Sequence, residues 1–436
     1  MSRRMALRIL VTGDLHIGRT SSRLPTSIPP DSEILRAVNG WHSIVDHAVN
    51  NDVDLLILTG DVADEDNKFW EAIGPLHSGL RRLADHDVRT LAVSGNHDHD
   101  VLPRLAEALG DEGNFMLLGR GGQWQRETIT VDGRPVLHVD GWSFPEKVVN
   151  HDPVLSYPAW GGHGVAVLGL VHGDLDDPAS RFAPLSLARL TAQPVDGWLL
   201  GHIHKPQLCA QGPPLVLYPG SPQALDFGER GVHGPWQFEV DAGRVGPPRQ
   251  VPMSCCRYDE IKIDLTGIPD NAGFEIAVLG AVRDAEQRMT VESGDGLEAL
   301  SLRLRLTGRT PLFDRISSLS ETLLDYTGAT SSLAVRIDKI YPEVLPEIDL
   351  ESLARGSTPL AVAARMLHEV ETTPDADDVR ELIASVTDRM SAVGGGREYM
   401  TVADVPSVDQ NAGRLLVREQ LNFIIGQLVR QQDGES

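Results

Sequence analysis

Short apolar runs recur through the first 250 residues, and each gives way to polar, glycine-bearing sequence. They are Arg8-Ile9-Leu10-Val11, Leu55-Leu56-Ile57-Leu58, Thr90-Leu91-Ala92-Val93, Val165 to Val171, and Trp198-Leu199-Leu200. Their length and β-rich composition predict strands. Between them the pattern predicts helices near residues 31–51, 67–86 and 100–110, so the region alternates strand and helix. The loop Thr20–Pro30, with three prolines, is long for a strand-to-helix connection, and such loops often carry function. After Gly201 the pattern turns to short strands, at Pro214–Tyr218, Trp236–Val240 and Gln250–Met253.

A Gly- and Pro-rich linker, Asp241 to Pro252, leads to a second pattern. It reads as strand (Asp259–Leu265), helix (Ala272–Met289), strand (Ala299–Leu306), helix (Leu312–Tyr326) and strand (Ser332–Ile340). Leu302, Leu304 and Leu306 alternate with Arg303 and Arg305, the mark of a half-exposed strand with a basic face. The remainder predicts helices near 359–371 and 375–392, a break at Gly394-Gly-Gly396, and a last helix from about Gly413 to Gln431. In that helix Val417, Leu421, Ile424 and Leu428 form a narrow apolar stripe. Three domains are expected: 1–250, 255–341 and 342–436.

The polar sequence behind the first set of strands is chemically loaded. It reads Gly13-Asp14-Leu15-His16, Gly60-Asp61, Gly95-Asn96-His97-Asp98, His172-Gly173 and Gly201-His202-Ile203-His204. Open α/β sheets build their sites at the carboxyl ends of strands. Asp, His and Asn gathered there offer a mixed oxygen and nitrogen nest for two divalent metals, suited to water attack on a phosphate ester. Asp14 and His16, two apart, point to the same side if the strand end is extended, and His202 and His204 repeat that spacing. A lone carboxylate at Asp61 could bridge two metals. Asn96 adds an oxygen without adding charge. A single histidine after a strand, such as His172, is by itself more often a packing residue; it is the ordered set that carries the signal. His42, His47, His77, His86, His138, His151, His163, His233 and His368 lack such context, and His99 sits in the Asn96–Asp100 loop.

This ordered set resembles the calcineurin-like metallophosphoesterase superfamily. Tyr218-Pro-Gly-Ser-Pro222 followed by Asp226-Phe-Gly-Glu-Arg-Gly231 further resembles the SbcD-type DNA repair nuclease subunits, over roughly residues 6 to 240. The resemblance implies a β-sandwich flanked by helices, a small α/β capping domain and a helical C-terminal segment. It implies that Asp14, His16, Asp61 and His204 hold one metal, and that Asp61, Asn96, His172 and His202 hold the other. It makes His97 the residue facing the scissile phosphate. Asp98 would orient His97 or shape its turn, and a water between the metals would be the nucleophile. Of the two divalent ions it implies Mn²⁺ first, with Mg²⁺, Fe²⁺ and Zn²⁺ open on ligand type. It also implies DNA as substrate, in repair or in defence against foreign DNA, and a homodimer. Its partner would be an SbcC-like coiled-coil SMC-type ATPase, reached through the C-terminal helix. The stripe of that helix could equally pack on its own domain.

Composition changes this picture in one respect. Among 436 residues, 39 Lys and Arg face 62 Asp and Glu, a formal net charge of −23. DNA affinity rests on phosphate neutralisation, so the balance favours an alternative, a phosphoesterase for small esters. Bound metals or a partner could supply the missing positive charge. Arg19, Arg23, Lys205, Arg230, Arg303 and Arg305 are candidate phosphate contacts, each equally readable as a surface residue. The segment 342–436 is acidic and reads better as a protein-docking piece than as a DNA arm. A non-catalytic scaffold is the third class, and the complete ligand set argues against it. Cys209, Cys255 and Cys256 form no metal-binding spacing, which fits a reducing cytoplasm. No apolar run reaches membrane-spanning length, and the short N-terminal run reads as a strand rather than a signal peptide. No phosphate-loop motif is present, so an ATPase would have to be another chain.

Overall fold

The computed structural model describes residues 6–29, 32–64, 68–110, 114–294, 296–324, 327–330, 333–347, 350–374, 376–394 and 409–434. Packing divides the chain into two units, each built from three segments. The first is Met1–Glu260, Asp284–Arg303 and Tyr326–Asp338; the second is Ile261–Arg283, Leu304–Asp325 and Lys339–Ser436.

In the first unit two sheets lie face to face with helices outside. One sheet runs in the order Arg244–Val245, Trp236–Asp241, Leu7–Thr12, Leu55–Leu58, Arg89–Ala92, Phe115–Leu117, and Arg249–Gln250 also pairs with Trp236–Asp241. The strands from Leu7 to Leu117 are parallel to one another, with Ile9 opposite Leu55 and Ile57 opposite Leu91. The other sheet runs Gln125–Val131, Arg134–Trp142, Ala166–His172, Gly197–Gly201, Leu215–Tyr218, Gln207–Ala210, and its four central strands are again parallel.

The apolar runs lack alternation because both faces of these strands are buried. Ile9, Val11, Ile57 and Leu91 meet Leu137, Leu168, Leu170, Leu199 and Leu217 in the layer between the sheets. Their neighbours Leu10, Leu56, Leu58 and Ala92 face outward against helices Ala37–Asn50, Lys68–Asp85 and Val101–Leu109, through Trp41, Ile44, Leu76, Leu80, Leu102 and Leu105. Val167, Val171, Trp198, Leu200 and Val216 do the same on the second sheet, under Trp142, Phe144 and Tyr157. The result is a mixed α/β sandwich flanked by helices. The hairpin Gln125–Val131/Arg134–Trp142 and the edge strand Gln207–Ala210 are not announced by an apolar run, because each has a half-exposed face. The strand expected at Gln250–Met253 is only Arg249–Gln250, after which the chain leaves the sheet.

Later in the chain, Cys256–Asp264, Ala299–Thr307, Leu333–Pro342 and Thr327–Thr330 form a four-stranded sheet in that order, accompanied by helices Asn271–Ser293 and Ile316–Leu324. Residues 325–326 and 331–332, where two of the expected elements end or begin, lie outside the described residues. The alternation in Ala299–Thr307 is real, since Leu302, Leu304 and Leu306 are fully buried. The basic face, however, is neutralised internally. Arg303 lies 3.8 Å from the centre of the Phe227 ring and 3.0 Å from Asp338, and Arg305 pairs with Glu343.

In the second unit, helices Pro359–Thr372, Asp377–Gly394 and Gln410–Gly434 share a core of Leu360, Ala364, Leu367, Ile383, Val417, Leu421 and Ile425. Two members of the predicted stripe, Val417 and Leu421, are buried here and Leu428 is packed at the edge. Ile424 is exposed and Ile425 takes its place inside, since a 4-4-3 spacing follows the turn of a straight helix. The break at Gly394–Gly396 falls largely on residues outside the described ones.

The inter-sheet layer should dominate stability. Replacing the fully buried Leu168 with Ala should cost about 2–5 kcal/mol, read as a lowered urea midpoint in tryptophan fluorescence.

Candidate metal centre

The central parallel strands of both sheets deliver their carboxyl ends to one place. Asp14 and His16 follow Leu7–Thr12, Asp61 follows Leu55–Leu58, and the Asn96 loop follows Arg89–Ala92. From the second sheet, His172 ends its strand, and His202 and His204 follow Gly197–Gly201. The first two loops are laced together, with Asp14 N–H donating to Gly60 O at 2.9 Å and His16 N–H to Asp61 O at 3.0 Å.

The backbone here is not an extended strand end. Asp14, His16, Asp61 and His202 have φ of 50°, 47°, 50° and 102°. These left-handed conformations cost about 1–3 kcal/mol each for residues with a Cβ. Strand periodicity therefore does not explain why Asp14 and His16 converge; the turn does. Two glycines are required by close approach. A Cβ on Gly95 would stand 2.2 Å from Asp61 Oδ1, and one on Gly201 would stand 2.1 Å from Thr59 O.

Three groups of donors result among the described residues: one at the edge is His16, Asp64 and His97, and the two inner ones are Asp14, His16 and His204, and Asp61, His172 and His202. Asp61 lies between them, its Oδ2 3.3 Å from His172 Nε2 and 3.8 Å from His16 Nε2. Asn96 Oδ1 is 3.2 Å from both His172 Nε2 and His202 Nδ1. Asp14 accepts from the backbone N–H of His202 at 3.0 Å.

The outer nitrogen of each of the four donor histidines faces an acceptor, which suits the tautomer a metal ligand needs. His16 Nδ1 faces Asp64 at 3.3 Å, and His172 Nδ1 faces Thr59 O at 3.0 Å. His202 Nε2 faces Asp174 at 3.3 Å, and His204 Nδ1 faces Glu229 at 2.7 Å. With the outer nitrogens donating, the inner nitrogens of His16, His202 and His204 can carry lone pairs, and that of His172 does so once its second proton is lost. They converge on each other and on carboxylates, as with His16 Nε2 and His204 Nε2 at 3.0 Å. Such a set fits divalent cations of intermediate softness. Asp64, Asp174 and Glu229 stand behind the donor histidines, and motif reading misses them, since a lone carboxylate in a loop carries no spacing signal.

His97 sits at the edge of this cluster. Its side chain is 32% exposed, its ring packs edge-on at 4.8 Å from His16, and its Nδ1 is 3.4 Å from Asp64 Oδ1. Asp98 is fully buried, and its two oxygens accept from the N–H groups of Val62 and Gly95, each at 2.7 Å. It clamps the Asp61 loop to the Asn96 loop, so of its two expected roles the structure displays the shaping of the turn. His99 Nδ1 is 3.3 Å from Asn96 O and joins none of the donor groups.

Charge follows this geometry. Burial drives Asp61 upward, but the charge and hydrogen bond of His172, aided by His16 and His97, hold it well below the carboxylate range. Asp64 is likewise buried enough to be driven up, yet its hydrogen bonds to His16 and His97 hold it low. Burial lowers His172, and the Asp61 charge overrides this, lifting it to about 9. Burial and then the Asp61 charge push Asp98 up to about 7, opposed by its two amide donors. Bound cations would favour its ionised form.

A strand-end constellation of this kind has the donor chemistry of a two-metal hydrolytic centre. Residues 7–206 match the family described as Calcineurin-like phosphoesterase. An uncharacterized metallophosphoesterase, YhaO, of Bacillus subtilis is 25% identical over 221 residues, which is 46% of this chain and 49% of that one. The D component of the nuclease SbcCD, also of Bacillus subtilis, is 25% identical over 260 residues, 52% of this chain and 64% of that one. The chain thus spans about half to two-thirds of the length of these relatives. Among solved structures, a dimetal phosphatase from Danio rerio is similar at 10% identity and a TM-score of 0.34, covering 54% of this chain and 93% of that one.

Two outcomes are expected. At neutral pH the metal-free protein holds a proton on His172, so metal uptake must expel it. Calorimetry of Mn²⁺ binding in buffers of differing ionisation enthalpy should show proton release at pH 7. Affinity should rise about tenfold per pH unit towards pH 9 and then level off. Asp98→Ala should orphan two buried amides and cost about 1–3 kcal/mol for each, seen as a lower melting temperature of the metal-free protein.

Proposed function

We propose that this chain is a two-metal phosphodiesterase that cuts DNA, the nuclease subunit of a complex with an SMC-like coiled-coil ATPase, acting in DNA repair or defence against foreign DNA. The observation that carries the catalytic part is the convergence of Asp14, His16, Asp61, Asn96, His172, His202 and His204 on two adjoining donor groups with His97 at their edge. Metal ions held there, Mn²⁺ first among them, would acidify a water and neutralise charge on the phosphoryl oxygens.

The chain's own residues do the rest. Asp64 is a carboxylate at neutral pH and fixes His97 by its Nδ1, which leaves Nε2 as the atom that protonates the leaving oxygen. The Asp64 charge also stabilises the imidazolium between turnovers. Asn96 contributes an oxygen without further negative charge near an anionic substrate.

The choice of DNA rests on the similarity to the SbcCD component, which extends beyond the phosphoesterase region. In this reading 1–250 is the nuclease domain, 255–341 caps it and 342–436 binds the partner. On the last helix, Leu415, Phe423 and Ile424 are 48%, 59% and 44% exposed and supply apolar contacts. A homodimer completes the assembly. The net charge of −23 and the internal pairing of Arg303 and Arg305 favour a second reading, a phosphoesterase for cyclic nucleotides or phosphomonoesters.

The test is Mn²⁺-dependent cleavage of end-labelled linear DNA beside bis-p-nitrophenyl phosphate, with His97→Ala as control. DNA cleavage that drops about 10²–10⁴-fold in the variant while Mn²⁺ binding persists is the expected result. Turnover of the small ester alone, with DNA intact even when the ATPase partner is added, would replace the nuclease by the second reading.

A further inference from the structure

We propose that Glu229 is the positioning residue that makes His204 a metal ligand, and that it sets the affinity of the metal position shared with Asp14 and His16. The inference rests on the two-metal reading above and deepens it. Glu229 lies in the Asp226–Gly231 stretch, remote in sequence from every metal motif, yet it is only 4% exposed. Its Oε1 is 2.7 Å from His204 Nδ1. Its Oε2 accepts from Ser221 Oγ at 2.8 Å and from Leu225 N–H at 2.9 Å. Both oxygens are occupied, so the carboxylate cannot turn away from the ring.

A carboxylate only accepts, so His204 Nδ1 must carry the proton and Nε2 must carry the lone pair. That Nε2 is the atom facing His16 Nε2 at 3.0 Å. Glu229 is held in turn by its loop. Leu225 O accepts from Ser22 N–H at 2.9 Å and from Tyr258 Oη at 3.2 Å, and Gly231 N–H donates to Tyr258 O at 3.0 Å. The loop after the last histidine motif is therefore a mount for one imidazole. A plain structural role, tying the loop through Ser221 and Leu225 alone, is the competing account.

Glu229→Gln separates the two. The amide is isosteric and keeps an acceptor for Ser221 and Leu225. Its NH₂ turned to His204 Nδ1 obliges that atom to accept, which moves the ring proton to Nε2, where the metal should bind. Calorimetric titration of the full chain with Mn²⁺ should show one of two ions weakened about 10–100-fold and the other unchanged. The melting temperature of the metal-free protein should stay as in the wild type. His204→Ala should weaken the same ion. Ser221→Ala, which removes one of the two donors to Oε2 and leaves the carboxylate with the Leu225 N–H, should weaken that ion clearly less than E229Q does. With bis-p-nitrophenyl phosphate, E229Q should lose kcat at low Mn²⁺, recover it at high Mn²⁺ and keep its KM. Wild-type affinity for both ions in E229Q would overturn the proposal, as would an equal loss in Ser221→Ala. A wild-type titration without Mn²⁺ uptake would instead remove the two-metal reading itself, and this proposal with it.

Discussion

Lone pairs on four imidazoles, aimed inward at carboxylates and at each other, are the constraint around which the first unit is organised. Such an arrangement is repulsive unless a cation or proton sits among the donors, and nothing local to the sequence holds it together. It persists because each ring is fixed from behind by an acceptor on a different element: Asp64, the Thr59 carbonyl, Asp174 and Glu229. In the metal-free protein a proton on His172 partly relieves the repulsion. The site is thus preorganised for charge rather than assembled by it.

The sandwich makes this possible. Strands buried on both faces are held in register by the inter-sheet layer on one side and by helices or loops on the other, so their ends are stiff. Because both sheets send parallel strands the same way, donor side chains from residue 14 to residue 204 meet without long side chains having to reach. Asp98 joins two of the loops through backbone amides, and Gly95 and Gly201 let them touch. The helical unit has its own core, and among the described residues neither it nor the later sheet contributes to the donor groups.

Much of this was legible in the sequence where a physical period or an ordered motif existed. The doubly buried strands announced themselves as continuous apolar runs, and the seven donors as short motifs behind them. The hairpin at Gln125–Trp142 was not legible, because its polar face hides it among loops. Asp64, Asp174 and Glu229 were not legible either, since each is tied to the site by a partner 25 to 48 residues away. The basic face of Ala299–Thr307 was legible as a strand but misleading as a charge. Sequence shows Arg303 and Arg305 and does not show Phe227, Asp338 and Glu343 beside them.

The left-handed backbone at Asp14, His16, Asp61 and His202 has an evolutionary corollary. Four residues with side chains occupy conformations in which glycine or asparagine would rest more easily. Wherever selection for turnover lapses, mutation at these positions can relax the chain and raise the melting point. Descendants that keep the sandwich and abandon the chemistry should therefore be sturdier than their working ancestors, and glycine or asparagine at these four places would be the trace of that retirement.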